Sequence, residues 1–224
     1  LLAGVAMAYA TGGTGRLRDL GRRLVDPRRI GRKWWAVILV FWPAFNLLMA
    51  GAALALGVTD RPLDIALENV TDPGAVGFVL LLSFVLPSVE EIGLRGYWMD
   101  ELRERFGTTT AGLLNGAGWA LWHAPFVLFP GYYANTSFQP ALWWWLPSIV
   151  LVTLPLVWVY DGTGRSILAV VLFHGAMNAT GEFLGNTELW PFAVLGQALV
   201  AVALVAYWQW RGRTDRVARG VTGA

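Results

Sequence analysis

The chain has 224 residues, of which 56% are hydrophobic and only 14% are charged. Soluble domains carry about 25% charged residues, so this composition is typical of an integral membrane protein. The net charge of +2 gives no indication of a nucleic-acid partner, and the lack of cysteine excludes disulfides, thiolate metal sites and a cysteine nucleophile.

Hydropathy predicts an all-α fold, a polytopic transmembrane helical bundle with six full spans and a partial N-terminal one. Each full span has roughly the 17–25 residues that cross a bilayer, and it must be helical because lipid offers no partner for unpaired backbone groups. The partial span covers 1–11, and because the chain begins without methionine we expect that some of the N-terminus is missing. The predicted full spans are 35–57, 74–98, 109–130, 142–160, 166–184 and 190–210.

Basic residues predict the side of the membrane on which each loop lies. Segment 15–34 carries eight basic residues against two acids, whereas loop 58–73 carries one basic residue against four acids. By the positive-inside rule the first segment is cytoplasmic and the second is external, and the later loops alternate in the same way. We therefore expect a protein of the cell membrane whose basic loops and C-terminus are cytoplasmic.

The same pattern divides the chain into three parts. We predict a partial span followed by a basic cytoplasmic or interfacial segment at 1–34, a membrane core at 35–210 and a basic cytoplasmic tail at 211–224. Leucines between the cations of 15–34 are consistent with a helix lying along the lipid headgroups. A simple topogenic loop is an equally good interpretation of that segment.

Few ionisable side chains remain inside the predicted spans. A charge within the membrane costs at least ~2.5–3.5 kcal/mol on insertion scales, so each of these side chains is a candidate functional residue. They are Glu90, Glu91, Arg95, His123, His174 and Glu182.

Helical spacing separates the two adjacent acids. Glu91 and Arg95 are four residues apart with the acid first, which favours an ion pair, and we interpret them as a buried structural brace. Glu90 points about 100° away from Glu91, has no obvious local partner, and is predicted to be the acid available for chemistry.

The predicted span 166–184 places polar side chains on one helical face. His174 and Asn178 are four residues apart and project in the same direction. Glu182 continues this face one turn further, and we interpret it as a solvated residue near the interface rather than a catalytic one.

A carboxylate, two imidazoles and an amide on separate helices can form one polar pocket. In one arrangement Glu90 takes a proton from a water that His123 orients, while His174 and Asn178 donate to an oxyanion. In another arrangement Glu90, His123 and His174 bind Zn²⁺. The residues leave both arrangements open, so no cofactor is assigned, and we expect the site to face the cytoplasmic half or the middle of the bilayer.

Three short motifs occur in order on separate predicted spans. EEIGLR at 90–95 resembles EExxxR, WALWH at 119–123 resembles FxxxH, and HGAMN at 174–178 resembles HxxxN. Together they resemble the CPBP family of intramembrane proteases, which includes the type II CAAX prenyl endopeptidases and the bacteriocin-immunity (Abi) proteins. The resemblance covers about residues 15–184.

The resemblance implies an intramembrane endopeptidase, of glutamic or metallo type, acting on a membrane-associated protein or peptide such as a prenylated CAAX substrate. It implies that Glu90 activates water with help from His123. It further implies that His174 and Asn178 stabilise the oxyanion, with Glu91 and Arg95 at the remaining motif positions. Trp119 stands where the second motif usually has phenylalanine, and we expect the larger ring to narrow the pocket.

Two other functions are consistent with the same residues. One is a non-catalytic immunity or scaffold factor that keeps the fold and a polar core. The other is a proton-coupled transporter in which Glu90, His123 and His174 relay protons. The absence of a visible inverted sequence repeat counts against transport.

Overall fold

The computed structural model describes residues 2–65, 68–129, 131, 140–185 and 189–218, with the side chains of 68, 69 and 213–218 not described. Parts of the predicted external loops, 132–139 and 186–188, lie outside the described residues. The end of the predicted basic tail, 219–224, also lies outside them.

In the described part of the chain all regular elements are helices, which confirms the predicted all-α class. The longest helical stretch, Pro73–Arg105, is interrupted in its second half by a π-helical turn at Leu94–Trp98. The α-helices are α1 (Leu2–Val25), α2 (Arg32–Ala55), α3 (Glu68–Thr71), α4 (Pro73–Gly93), α5 (Met99–Arg105), α6 (Thr108–Leu128), α7 (Leu142–Gly162), α8 (Ile167–Leu184) and α9 (Trp190–Ala218).

Among the described residues, five helical stretches are long and apolar enough to cross a membrane. They are Arg32–Ala55, Pro73–Arg105, Leu142–Gly162, Ile167–Leu184 and Trp190–Gly212. The remaining predicted span forms α6, which has 21 residues but a lower mean hydropathy than these five. Its glycines, Asn115 and His123 lower the hydropathy. Asn115 donates to the Leu94 carbonyl, and His123 lines the cavity described below.

The basic N-terminal segment is helical and packs on the bundle. It belongs to α1, which kinks at Gly13, where φ is 59° and only glycine adopts the conformation without strain. Leu20 is buried in one cluster with Ile167 and Val171 of α8. The structure therefore favours a packed helix over a simple loop for this segment.

A buried arginine joins α1 to the helices that carry the predicted site. The Arg23 side chain is 2% exposed, and its guanidinium donates to the Tyr160 hydroxyl and to the Gly96 carbonyl, at 2.7 Å in each case. It also lies 3.1 Å from the Asp100 carboxylate, which pairs with Arg165 as well. Burial lowers the pKa of Arg165, but its hydrogen bonds to Tyr160 and Asp100 outweigh burial and hold that pKa above the ordinary value.

The π-helical turn lies directly after the two predicted acids and contains Arg95. A π turn breaks the regular backbone ladder, and such turns are frequent at functional sites. Here other helices hydrogen-bond its carbonyls: Asn115 of α6 donates to Leu94 at 3.0 Å, and Arg23 donates to Gly96. The turn is therefore held in place from two sides.

Close helix approach at glycine brings the motif-bearing helices together. A Cβ atom at Gly175 of α8 would overlap the Phe84 ring of α4 and lie 2.8 Å from the Ser83 carbonyl oxygen. A Cβ atom at Gly116 of α6 would lie 3.0 Å from the side chain of Thr153 in α7. Glycine at these positions lets α4 approach α8, and α6 approach α7, more closely than other residues would allow.

Candidate active site

A cavity of about 450 Å³ lies between α4, α6, α7 and α8. Its wall is mostly apolar, and the polar side chains on it come from all three sequence motifs. The predicted site residues that line the cavity are Glu90, Trp119, His123, His174 and Asn178.

Glu90 is half-buried at the cavity wall, and one of its oxygens is already engaged. Its Oε2 accepts a hydrogen bond from the indole Nε1 of Trp119 at 2.9 Å, which leaves Oε1 for another partner. Within its own helix Glu90 has no obvious partner, and from the sequence we expect Trp119 only to narrow the pocket with its larger ring. Phenylalanine, the usual residue at position 119 of the motif, has no side-chain N–H. The presence of tryptophan there was therefore the sequence signal for the hydrogen bond to Glu90.

Glu91 and Arg95 lie behind the cavity wall rather than on it. Both side chains are fully buried, and Arg95 donates to Oε1 of Glu91 at 2.9 Å, as their spacing predicts. The guanidinium also lies 3.4 Å from the Thr153 hydroxyl and 4.7 Å from the centre of the Trp119 ring. These contacts hold the pair between α4, α6 and α7.

His174 is oriented by Glu91, a contact that the sequence did not predict. Its Nδ1 lies 2.9 Å from Oε1 of Glu91, and because an ionised carboxylate only accepts, Nδ1 must be the donor. In a neutral ring Nε2 is then an acceptor, whereas in the imidazolium Nε2 also donates. Only the imidazolium can donate from Nε2 to an oxyanion.

His123 is oriented by a backbone carbonyl rather than by a carboxylate. Its Nδ1 lies 3.0 Å from the carbonyl oxygen of Trp119, so Nδ1 donates and Nε2 of the neutral ring carries a lone pair. The edges of aromatic rings surround the imidazole, including Trp145 with its ring centre 5.2 Å away and Trp122 at 4.7 Å. This setting orients Nε2 to accept a hydrogen bond from a water molecule.

Asn178 and Glu182 continue the face of α8 that carries His174. Both line the cavity, and Glu182 is an exposed side chain, which agrees with its interpretation as a solvated residue near the interface. Phe78 and Trp190, at the ends of their helices farthest from the basic loops, also line the cavity. The cavity thus extends from the middle of the bundle to the end opposite the basic loops, whereas we expected the site to face the cytoplasmic half or the middle of the bilayer.

The alternative metal set is not assembled in this geometry. Glu90, His123 and His174 are all described, yet no group of three or more His, Asp or Glu side chains in the described part of the chain is placed to hold a metal ion. Nδ1 of each histidine is engaged, by Glu91 in one case and by the Trp119 carbonyl in the other, so each ring could ligate only through Nε2. The positions of the three side chains, rather than their hydrogen bonds, are what do not form a zinc site.

Comparison with known proteins identifies relatives of the chain. Residues 72–180, which contain all three motifs, match a family model described as type II CAAX prenyl endopeptidase Rce1-like. A similar protein, "CAAX prenyl protease 2" of Methanococcus maripaludis, is 29% identical over 196 residues. That similarity covers 85% of this chain and 71% of the relative.

Proposed function

We propose that the chain is an intramembrane endopeptidase of the Rce1-like type II CAAX prenyl endopeptidase family, in which Glu90 activates the attacking water. One observation carries this proposal: Glu90 shares a cavity with His123, His174 and Asn178, while the neighbouring acid, Glu91, is buried behind the wall. The proposed substrate is a membrane-associated protein or peptide, and the relative's name supports a prenylated CAAX-type substrate.

The first step forms the nucleophile. A water molecule donates one hydrogen bond to Oε1 of Glu90 and the other to Nε2 of His123. Glu90 takes the first proton as the water oxygen bonds to the carbonyl carbon of the substrate, and general-base assistance of this kind contributes typically ~10²–10⁴ in rate. The Trp119 N–H keeps the carboxylate oriented through Oε2.

The second step breaks the peptide bond. The negative oxygen of the tetrahedral intermediate accepts hydrogen bonds from Nε2 of the His174 imidazolium and from the Asn178 amide, each donor being worth about 10²–10³ in rate. The C–N bond then breaks, and the proton held by Glu90 moves to the leaving nitrogen. The products are a carboxylic acid and an amine, and Glu90 is regenerated as a carboxylate.

The apolar helices identify an integral membrane protein, and the charge pattern supports a specific orientation. In the proposed arrangement the basic end, which contains Arg23, Arg103 and Arg165, faces the cytoplasm. The membrane itself then acts as a partner by presenting lipid-attached substrates at the depth of the cavity.

The proposal is tested with purified protein and quenched-fluorescence peptides that include farnesylated CAAX sequences. Wild type, Glu90→Gln, His174→Ala and Glu104→Gln are compared, each with and without a strong zinc chelator. Glu104 is an exposed acid on α5 and serves as the matched control for loss of a carboxylate. We expect cleavage by wild type and Glu104→Gln, unaffected by chelator, and a loss of at least about 10²-fold in the two site variants.

Three other results would contradict the proposal or replace its mechanism. Cleavage by Glu90→Gln at the wild-type rate would contradict the role of Glu90. Loss of cleavage on chelation, with recovery on adding Zn²⁺, would replace the water-activation mechanism with a metal-dependent one. A wild type that cleaves none of the peptides, together with a cellular effect that survives Glu90→Gln, would support the scaffold function instead.

A further inference from the structure

The proposed mechanism gives no role to a group of cations between α1 and α2. We call residues 18–35 the elbow, because the chain passes there from one long helix into the next. The elbow exposes five basic side chains, and none of them lines the candidate active site. They are Arg18, Arg22, Arg28, Arg32 and Lys33.

The acidic side chains of the elbow do little to offset these cations. Asp19 is engaged by the buried Arg23, whose Nε lies 2.9 Å from the carboxylate. Asp26 accepts a hydrogen bond from the backbone N–H of Arg28 at 3.1 Å and so caps the short turn at 27–29. The Arg28 guanidinium also lies 3.4 Å from Asp26, but its side chain is 92% exposed, and ion pairs in such surroundings contribute little. Both acids therefore serve the fold of the elbow more than they neutralise its surface.

The remaining cations are engaged even less. In the described part of the chain, no carboxylate lies within 4 Å of Arg18, Arg32 or Lys33. Arg22 reaches Asp19 only at 4.0 Å, and Arg18 precedes Arg22 by four residues, a helical spacing at which like charges repel each other. An anion bound on this surface would relieve that repulsion.

The backbone of the elbow is held firmly against the bundle. Ile30 is buried in the same core cluster as Trp34, and Leu20 is buried in a second cluster with side chains of α8. Arg29 donates to the Gly164 carbonyl at 3.0 Å. These apolar side chains face the bundle, while the five cations remain exposed. A surface whose backbone is already fixed loses little conformational entropy when a ligand binds.

The elbow lies at a membrane surface in either orientation of the protein. It leads into α2, which is long and apolar enough to cross a membrane and begins at Arg32. Arg32, Trp35 and Leu39 are spaced by three and four residues, so they share one face of α2. Trp35 is 37% exposed and Leu39 is 66% exposed. A cation, an indole and an alkyl side chain thus follow one another along this face, in the order in which a phospholipid presents its phosphate, its interfacial region and its acyl chains.

We propose that the elbow is a binding site for an anionic phospholipid. Arg28, Arg32 and Lys33 surround the phosphate of the headgroup. Trp35 and Leu39 lie against the acyl chains. Basic residues beside a membrane surface attract anionic lipids, and each one adds to the attraction. A zwitterionic lipid has the same phosphate but also a compensating positive group, so it should bind more weakly. This inference does not depend on the proposed peptidase function.

Native mass spectrometry of the full chain in detergent tests the proposal by counting bound lipid molecules. The protein is titrated with phosphatidylglycerol and with phosphatidylcholine that carry the same acyl chains. Wild type should bind the first phosphatidylglycerol molecule about tenfold or more tightly than phosphatidylcholine, because several cations contribute. The preference should shrink as salt is raised. Equal affinity for the two lipids would overturn the proposal.

Paired variants assign the preference to the elbow. The double variant Arg28→Gln, Arg32→Gln changes two exposed side chains and should reduce the preference to about threefold or less. The matched control, Arg105→Gln with Arg211→Gln, removes the same charge from exposed positions outside the elbow and should keep the wild-type preference. An equal loss in the two double variants would show a diffuse attraction to the whole basic end, and it would overturn the elbow as a site.

A competition experiment distinguishes a lipid from a water-soluble anion. Glycerophosphoglycerol has the headgroup of phosphatidylglycerol without its acyl chains, so it lacks the part that would contact Trp35 and Leu39. A hundredfold molar excess of about this size should leave the bound lipid in place. Displacement of the lipid by glycerophosphoglycerol would overturn the assignment, because the site would then recognise a soluble phosphate compound rather than a lipid.

Discussion

At the scale of single residues, two adjacent glutamates occupy different environments because one helical step rotates a side chain by about 100°. Glu90 faces the cavity and accepts from Trp119, whereas Glu91 is fully buried between Arg95 and His174. The proposed division of work, chemistry for the first and positioning for the second, follows from these surroundings rather than from any difference between the two side chains.

This difference predicts effects of very different size on stability for the same substitution at the two positions. Glu91→Gln should lower the free energy of unfolding by about 3–5 kcal/mol, because it leaves the buried charge of Arg95 without its carboxylate. Glu90→Gln should change it by less than about 1 kcal/mol, since the glutamine oxygen can still accept from Trp119. Chemical unfolding in detergent, followed by circular dichroism, measures both, and equal losses in the two variants would contradict this assignment.

The sequence could predict the local contact but not the distant ones. The Glu91–Arg95 pair depends on spacing within one helix, which the sequence states directly. The contacts of Trp119 with Glu90 and of His174 with Glu91 join different helices, so they depend on how those helices pack. Periodicity specifies the face on which a side chain lies, but not which atom of a neighbouring helix that face meets.

At the scale of elements, the site depends on the close approach of α4 and α8. Gly175 lies at this crossing, next to His174 in sequence and against Phe84 and Ser83 in space. A larger residue at this crossing would move His174 relative to Glu91, whose hydrogen bond is 2.9 Å long.

The change Gly175→Ala should therefore damage both stability and activity. The added methyl group would overlap the Phe84 ring, and overpacking of this kind costs typically 1–3 kcal/mol. We expect kcat/KM to fall by about tenfold or more because misplacement of a catalytic group by 1 Å can cost about 10²-fold. Unfolding and peptide cleavage measure the two effects.

Gly77→Ala is the matched control for that change. Gly77 lies in α4, and nothing lies within 4 Å of the Cβ atom that alanine would add. This variant should keep wild-type activity and gain up to about 1 kcal/mol from the better helix propensity of alanine. A Gly175→Ala protein that behaves like Gly77→Ala would show that α4 and α8 are not tightly constrained at this crossing.

Hydropathy predicts where a helix crosses the membrane but not where its backbone departs from regular α-helix. Span 74–98 was predicted as one helix, and the structure has α4 followed by the π-helical turn over the same residues. Hydropathy counts apolar residues. It does not depend on whether a backbone N–H donates to the carbonyl four residues earlier, as in an α-helix, or five residues earlier, as in a π turn. The turn is fixed instead by polar side chains from elsewhere in the chain, Asn115 and Arg23.

At the scale of the whole molecule, composition was enough to predict the all-α membrane bundle, because lipid leaves a spanning chain few other options. The direction in which the cavity extends was not predictable in this way. It depends on which ends of α4, α7, α8 and α9 diverge, and this is a property of packing rather than of hydropathy.

The orientation in the membrane can be tested with single cysteines, since the natural chain contains none. Val58→Cys, at an exposed position after α2, should react in intact cells with a maleimide that does not cross membranes. Gly107→Cys, between α5 and α6, should react only after the cells are opened, because the proposed orientation places the basic end in the cytoplasm. The reverse labelling pattern would contradict the proposed orientation.

The π-helical turn also limits how this chain can change in length during evolution. A π turn contains one residue more than the corresponding α-helical path, so losing one codon within 94–98 would leave a regular helix. The residues after the deletion would keep nearly the same rotation relative to Glu90 and Glu91, because the wider turn had taken up the extra residue. Asp100 would therefore still face Arg23 and Arg165. A deletion that no such turn absorbs would instead rotate Asp100 by about 100° relative to the two acids, so changes of one residue in length between Glu91 and Asp100 are confined to this turn.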